Sequence, residues 1–191
     1  MDDVGLPPLA EPAAAEPAYR AATPADALCI GVLATQVFLD TYATSGIRAG
    51  IAREVTELLS TASIEALLAD ADRRFVVAEI DRHLIGFIQL HLRCGIDGPA
   101  ADAAKVERLY VQERFAARGV GTVLLAHGEA VAAAAGAARV WLSVWAGNDR
   151  ALAFYPRRGY RDDGPTTYTF EGDTYENRRF VKTLARRSGH A

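Results

Sequence analysis

Apolar residues recur along the chain in two rhythms, one of three to four residues and one of two, and the changes between them outline helices and strands. Leu28, Val32, Leu33, Val37, Phe38 and Tyr42 stand at helical spacing behind Thr23-Pro24-Ala25-Asp26. That tetrapeptide has the chemistry of a helix start, with Thr at the N-cap, Pro at the first position and an acid at the third. An amphipathic helix is predicted, closed by Ser45-Gly46, then two shorter helices at about 49–60 and 63–71, the second capped by Ser63. Residues 74–80 and 84–92 are rich in β-branched and aromatic side chains and flank Asp81-Arg82-His83, which predicts a β-hairpin. A Gly/Pro/Ala-rich loop is expected over 95–104, a strand over 105–111, and an apolar helix over about 119–135 closed by Gly136. Residues 139–145 alternate as a strand, a short helix starts at Asn148, and strands at 166–170 and 175–184 flank the turn Glu171-Gly172-Asp173. This order of elements predicts an α/β domain of the α+β type, a mixed sheet with helices packed on its faces.

At 191 residues the chain fits one domain able to bury roughly two-thirds of its unfolded surface. Residues 1–17, dominated by Ala, Pro and acids, read as a disordered tail; order is expected from near Tyr19, a domain over 18–185, and a C-terminal tail over 186–191. Asp2, Asp3 and the prolines at 7, 8, 12 and 17 argue against a secretory signal. Cys29 and Cys94 lack C-x-x-C spacing, so neither a zinc site nor a disulfide framework is expected, and a cytoplasmic setting is. The alanine-rich run near 130 is too short to span a bilayer. A formal net charge of -3 argues against general nucleic-acid binding, though local basic clusters can hold one anionic ligand.

Arg114-Phe115-Ala116-Ala117-Arg118-Gly119-Val120-Gly121-Thr122 joins the predicted strand 105–111 to the long apolar helix. A strand that turns through small residues into a helix leaves backbone N–H groups unpaired where the macrodipole favours negative charge, so phosphate is the expected guest. The turn is neither a Walker A loop nor a Rossmann G-x-G-x-x-G, and alone it reads equally as a tight connection that needs small residues for packing. A second element follows: Val144-Trp145-Ala146-Gly147-Asn148-Asp149-Arg150-Ala151-Leu152-Ala153-Phe154-Tyr155-Pro156-Arg157-Arg158-Gly159-Tyr160.

Together, Glu107-Arg108-Leu109-Tyr110-Val111, the glycine turn and this distal element resemble the hallmark motifs of the GNAT superfamily of acyl-CoA N-acyltransferases. The resemblance covers about residues 18–184 and is nearest the ribosomal-protein and polyamine N-acetyltransferase branches. It implies a GNAT-like, mostly antiparallel central sheet flanked by helices and splayed at the cofactor-binding strand. It also implies direct transfer of an acetyl group from acetyl-CoA to a primary amine in a ternary complex. On this resemblance Leu109, Tyr110 and Val111 hold the acetyl carbonyl and pantetheine arm. Amides of Ala117, Arg118, Gly119, Val120, Gly121 and Thr122 wrap the pyrophosphate, and Asn148, Ala151 and Phe154 complete the cofactor site. Arg118 neutralises phosphate charge, with Arg114, Arg157 and Arg158 as further cations. Ala116 stands where relatives carry Gln or Arg, Ala117 where Gly is common, and Pro156 removes an N–H directly behind Tyr155.

Acyl transfer to an amine needs a base, because the protonated amine cannot attack. Glu107 is the candidate, expected to share a face with Leu109 and Val111, with a strand bulge near Leu109 opening its path. The alternative is a rim carboxylate paired with Arg108 or Arg93; Glu79 is a second candidate. Tyr155 matches the family's position for the acid that protonates the departing thiolate, against the alternative of a core aromatic. A backbone amide of Val111 or Leu109 is expected to stabilise the oxyanion. Cys29 and Cys94 lie outside both motifs, so no covalent intermediate is expected. Phe38, Asp40, Tyr42, His91 and Trp145, with Thr41, the Ser45-Gly46 loop and Tyr168, are candidates for the acceptor pocket, where Asp40 would attract a cationic amine. The acceptor is expected to be a protein N-terminus, a polyamine, or an amine-bearing antibiotic or metabolite. A catalytically silent CoA-binding regulatory module and a nucleotide-phosphate-binding protein are the rival readings, and the chain is expected to be a monomer or homodimer.

Overall fold

The computed structural model describes residues 15–170 and 172–185. The predicted tails fall outside these, except 15–17, which take no regular structure. A short strand β1 (Ala18–Ala21) enters a 3-10 turn (Pro24–Asp26) that leads into α1 (Ala27–Tyr42). The predicted start is built as a capping box: the Thr23 backbone N–H donates to Asp26 Oδ2 at 2.7 Å, and Arg20 clamps the same carboxylate at 2.8 Å. Next come α2 (Ala49–Arg53), which runs on as one π-helical turn (Glu54–Leu58), and α3 (Thr61–Ala69). The strands β2 (Arg73–Ile80), β3 (His83–Gly95) and β4 (Gly98–Val111) follow as antiparallel neighbours. A short α4 (Glu113–Ala116), the long α5 (Val120–Ala134), β5 (Arg139–Trp145), α6 (Asp149–Phe154), β6 (Arg161–Phe170) and β7 (Asp173–Thr183) complete the order.

The strands form one sheet in the order β1-β2-β3-β4-β5-β7-β6. Every neighbouring pair is antiparallel except β4–β5, which is parallel and pairs only Ala103–Arg139, Ala104–Val140 and Lys105–Trp141. Beyond Lys105 the two strands part, which is the mostly antiparallel, splayed α/β sheet the motifs implied. One face is covered by α5 over Ile88, Leu90, Val106, Val140 and Leu142; the other by α1 and α3 over Phe75, Val77 and Phe87. Each of these buried side chains contributes about 1.5–3 kcal/mol relative to exposure. Gly128 lets α5 lie close on β3, since a Cβ there would stand 2.5 Å from Ile88 Cδ1.

Several expectations are corrected. The buried stripe of α1 is Ala27, Ile30, Leu33 and Ala34, while Leu28 and Val32 face outward. Their spacing fits a helix but does not select its inner face. α3 is capped by Ser60, whose hydroxyl accepts from the Ser63 N–H at 3.2 Å, so Ser63 is the third residue of the helix rather than its cap. The expected loop 95–104 is mostly strand, because β3 and β4 extend into a long hairpin that turns at 96–97. The β2–β3 turn narrows to Asp81 and Arg82, with φ of 47° and 67°, as a two-residue hairpin turn demands.

Candidate active site

The gap between β4 and β5 exposes one backbone edge of β4. Gln112 donates its N–H to Ile85 O. By the alternation of an antiparallel ladder, the N–H groups of Leu109 and Val111 therefore point away from β3, into the gap. Directly beyond, Gly119 caps α5 with φ of 81°, a left-handed conformation natural to glycine. Among the described residues, the N–H groups of Gly119, Val120 and Gly121 find no backbone acceptor. A strand edge with open amides running into a helix N-terminus fits a ligand with an amide-bearing arm and a polyanionic end. Ala117 and Arg118 are exposed at the turn, and Arg158 flanks it, donating to Thr122 Oγ1 at 3.1 Å with its guanidinium 3.5 Å from the Phe154 ring centroid.

Across the gap stands α6. Asn148 Oδ1 accepts from the Ala151 N–H at 3.0 Å and so fixes the helix start. The helix ends at Phe154, and Pro156 begins a 3-10 turn that closes at Gly159, φ 82°. Pro156 thus occupies a first-turn position, where a missing N–H is tolerated. Tyr155 is buried between Phe154, Tyr160 and Phe180, with ring centroids 5.1, 5.5 and 5.9 Å away. Burial pushes its hydroxyl pKa far up, with Tyr42 adding to the rise and Arg158 opposing it, so it holds its proton at neutral pH.

Beside this gap opens a cleft of about 500 Å³. Phe38 and Tyr42 of α1, Trp145 of β5 and Tyr168 of β6, four of the acceptor-pocket candidates, come together here as aromatic walls. Phe170, Tyr175, Arg48, Ser143 and the buried Asn177 also line it. Asp40 does not line it and lies on the exposed face of α1; Thr41 turns its hydroxyl back to Val37 O at 2.7 Å. The carboxylate at this end of the cleft is instead Glu54, on the π-helical turn, half-buried, its pKa raised by burial against the pull of Arg108.

The polar floor rests on a bulge. Gln89 pairs with Arg108 but Leu90 with Val106, so Glu107 is the extra residue of β4. Regular alternation would put Glu107 with Leu109 and Val111, whose side chains pack on the α5 core; the bulge sends it with Tyr110 to the cleft face. There Gln89, fully buried, donates Nε2 to Glu107 Oε2 at 2.6 Å and accepts from Arg108 Nη1 at 2.6 Å. Arg73 pairs with the same Glu107 oxygen. Glu107 therefore has neither Arg108 nor Arg93 as its ion-pair partner; Arg93 pairs with Asp72. His91 Nδ1 stands 3.7 Å from Glu107 Oε1, behind the cleft rather than in its lining, and burial with Arg73 lowers its pKa while Glu107 opposes. Glu79 pairs with Arg20 at 2.9 Å, away from the cleft.

Sequence reasoning missed Glu54, Gln89 and Arg108 as members of this site. Gln89 alone left a signal, a lone amide in the apolar run Phe87-Ile88-Gln89-Leu90. A buried amide in such a run must find partners, and here it holds two charges in place.

The sequence profile of the acetyltransferase (GNAT) family matches residues 44–160, which hold both motifs and most of the cleft. An uncharacterized N-acetyltransferase of Mycobacterium tuberculosis is 32% identical over 127 residues, 66% of this chain and 77% of the relative. The PaiA N-acetyltransferase of Thermoplasma acidophilum, solved in complex with coenzyme A, superposes with a TM-score of 0.70 at 21% identity, over 88% of this chain and 99% of that one. A ribosomal-protein-alanine N-acetyltransferase of Brucella melitensis gives 0.70 at 18% identity, over 87% and 99%. The fold is thus that of these N-acetyltransferases. The chain belongs to the GNAT family of acetyltransferases.

Proposed function

We propose that this protein transfers an acetyl group from acetyl-CoA directly to a primary amine. The observation that carries the reading is the parting of β4 from β5 beyond Lys105, which leaves the Leu109 and Val111 amides open beside the unpaired N–H groups of Gly119 to Gly121. Leu109 and Val111 hold the amide-bearing arm in the manner of an added strand, with Tyr110 on the opposite face of β4. The open amides of Gly119, Val120 and Gly121, with the Arg118 side chain, take the pyrophosphate; the N–H groups of Ala117, Arg118 and Thr122, expected from sequence to share in this, already donate to Phe115 O and Gly119 O. Asn148, Ala151 and Phe154 close the site from α6. Ala116 supplies no side-chain contact there, so the grip rests on backbone donors. When bound, the coenzyme supplies the thioester that makes the acetyl carbon electrophilic.

An ammonium must lose its proton before it attacks, and Glu54 is the carboxylate best suited to take it, directly or through water. Burial raises its proton affinity, and it lines the cleft. Glu107, the base expected from sequence, lines the same cleft, but one of its oxygens is engaged by Arg73 and Gln89. The N–H of Val111 or Leu109 donates to the carbonyl oxygen as negative charge develops on it. Tyr155, buried and protonated, gives its proton to the departing sulfur. Cys29 is exposed on α1 and Cys94 sits at the far end of β3, so neither serves as a nucleophile.

The test is thiol release from acetyl-CoA over a panel of primary amines. Tyr155→Phe is expected to lower kcat by roughly a hundredfold or more, with CoA affinity retained. Unchanged turnover would remove Tyr155 from the acid role. Glu54→Gln is expected to lower kcat/KM more than Glu107→Gln, and the reverse order would return the base to Glu107.

A further inference from the structure

Three charged side chains of the cleft have no ion-pair partner among the described residues: Arg108, Lys105 and Glu54. The other two are neutralised, Arg48 by Asp173 at 2.8 Å and Glu107 by Arg73. Arg108 is the better fixed of the two open cations. Gln89 holds its Nη1 at 2.6 Å from behind, and because Gln89 is fully buried this anchor cannot move aside. Arg108 lines the cleft, where it also reaches the neighbouring Tyr110 hydroxyl, a neutral partner that leaves its charge uncancelled. Glu107, the adjacent carboxylate that would otherwise cancel Arg108, is occupied by Arg73. Glu54 and Arg108 attract each other without forming an ion pair, so two opposite charges line one cleft of about 500 Å³. Phe38, Tyr42 and Trp145 line the same cleft as a run of rings, with centroids 4.9 and 6.0 Å apart in succession.

Resting on the acetyltransferase reading, we propose that the acceptor is a small zwitterion, a primary amine that also carries a carboxylate on an apolar body. Arg108 receives the carboxylate, since a guanidinium fork matches two carboxylate oxygens at once. Glu54 faces the amine, and the aromatic wall takes the body between them. The two open cations against one open anion leave the cleft positive. A polyamine, which adds further cations without an anion to offset them, is disfavoured by the same arrangement.

Matched pairs test this: phenylalanine against phenethylamine, leucine against isopentylamine, tryptophan against tryptamine, with spermidine as the polycation. Thiol release from acetyl-CoA is measured with the wild type, Arg108→Met and Arg108→Lys, and CoA binding to each protein is followed by calorimetry. In at least one pair the amino acid is expected to exceed its decarboxylated partner in kcat/KM by about tenfold or more, and to exceed spermidine. Arg108→Met is expected to bring that ratio close to one, with Arg108→Lys keeping part of it. A decarboxylated amine or spermidine that equals or exceeds the amino acids, an absence of amino-acid turnover, or a ratio that survives Arg108→Met overturns the inference. If Arg108→Met does not fold, Arg108→Lys decides, and a carboxylate preference unaltered from the wild type there is equally fatal. Wild type that binds CoA and shows no preference for the carboxylate sinks this inference alone. Wild type that does not bind CoA sinks the acetyltransferase reading beneath it.

Discussion

Replacing Gly119 by Ala probes the proposed phosphate turn without removing any side chain. Gly119 stands at φ 81°, and a Cβ added there meets nothing within 4 Å, so the cost is one of backbone conformation rather than collision. An L-residue in the left-handed region costs roughly 1–2 kcal/mol. In a chain of this size each kcal/mol shifts Tm by about 2–4 °C, so a fall of roughly 2–8 °C is expected. If the turn relaxes instead, the Gly119, Val120 and Gly121 amides rotate away from their common target, and CoA affinity drops by about tenfold, or 1.4 kcal/mol. Gly121→Ala is the control. Its Cβ would lie 3.7 Å from Phe154 Cζ and 3.8 Å from Val111 Cγ2, ordinary contacts, and Ala is favoured over Gly in a helix by up to about 1 kcal/mol. It should melt at or above the wild type and still bind CoA. Thermal melting and calorimetric CoA titration of both variants give the answer. A Gly119→Ala protein that melts and binds like the wild type, or a Gly121→Ala protein that is the worse of the two, refutes the reasoning.

Gln89→Leu keeps the volume but removes two hydrogen bonds to charged groups, so urea denaturation should show a loss of about 2–4 kcal/mol; a loss under about 0.5 kcal/mol would mean that the amide holds neither Glu107 nor Arg108. Asp26 is held well below the usual carboxylate range, first by Arg20 and then by its bonds from Thr23. A lowered folded pKa gives stability present above the ordinary value of 3.8 and lost as pH falls through the lowered one. Asp26→Asn should therefore cost about 1–2 kcal/mol at neutral pH, with the gap to the wild type closing on acidification. Glu54 has the opposite sign: burial raises its pKa, so its contribution is fully present below the ordinary 4.5 and is lost as pH rises through the raised value. Melting curves across this range should show Glu54→Gln at least as stable as the wild type at neutral pH, the difference vanishing in acid; a variant less stable at neutral pH would contradict the assignment.

Local patterns carried the strands and turns whose partners are near in sequence. β5 alternates residue by residue, with Val140, Leu142 and Val144 inside, and the Asp81-Arg82 turn sits between two unmistakable β runs. The glycine turn and the Asn148 cap were also readable, because each needs a specific backbone conformation that few residues supply. What escaped depends on contacts distant along the chain. Residues 98–104 are strand because β3 pairs with them, although their Gly, Pro and Ala composition argues for a loop. The bulge at Glu107 comes from the register with Gln89, and it moves Glu107 to the opposite face from the one that simple alternation predicts. Glu54 is one acid among several on helical residues until the packing of the π-helical turn sets it into the cleft and partly dehydrates it. Leu28 and Val32 fit the same helical period as Leu33, and only the sheet beneath decides which side is buried.

The most direct test of the central claim is calorimetric titration of the whole chain with acetyl-CoA, CoA and ATP in parallel. Saturable one-to-one binding of acetyl-CoA and CoA, with no comparable heat from ATP, is the predicted result. Binding of ATP without binding of CoA would contradict it, and would turn the open β4 edge and the Gly119 turn into the cradle of a different phosphate.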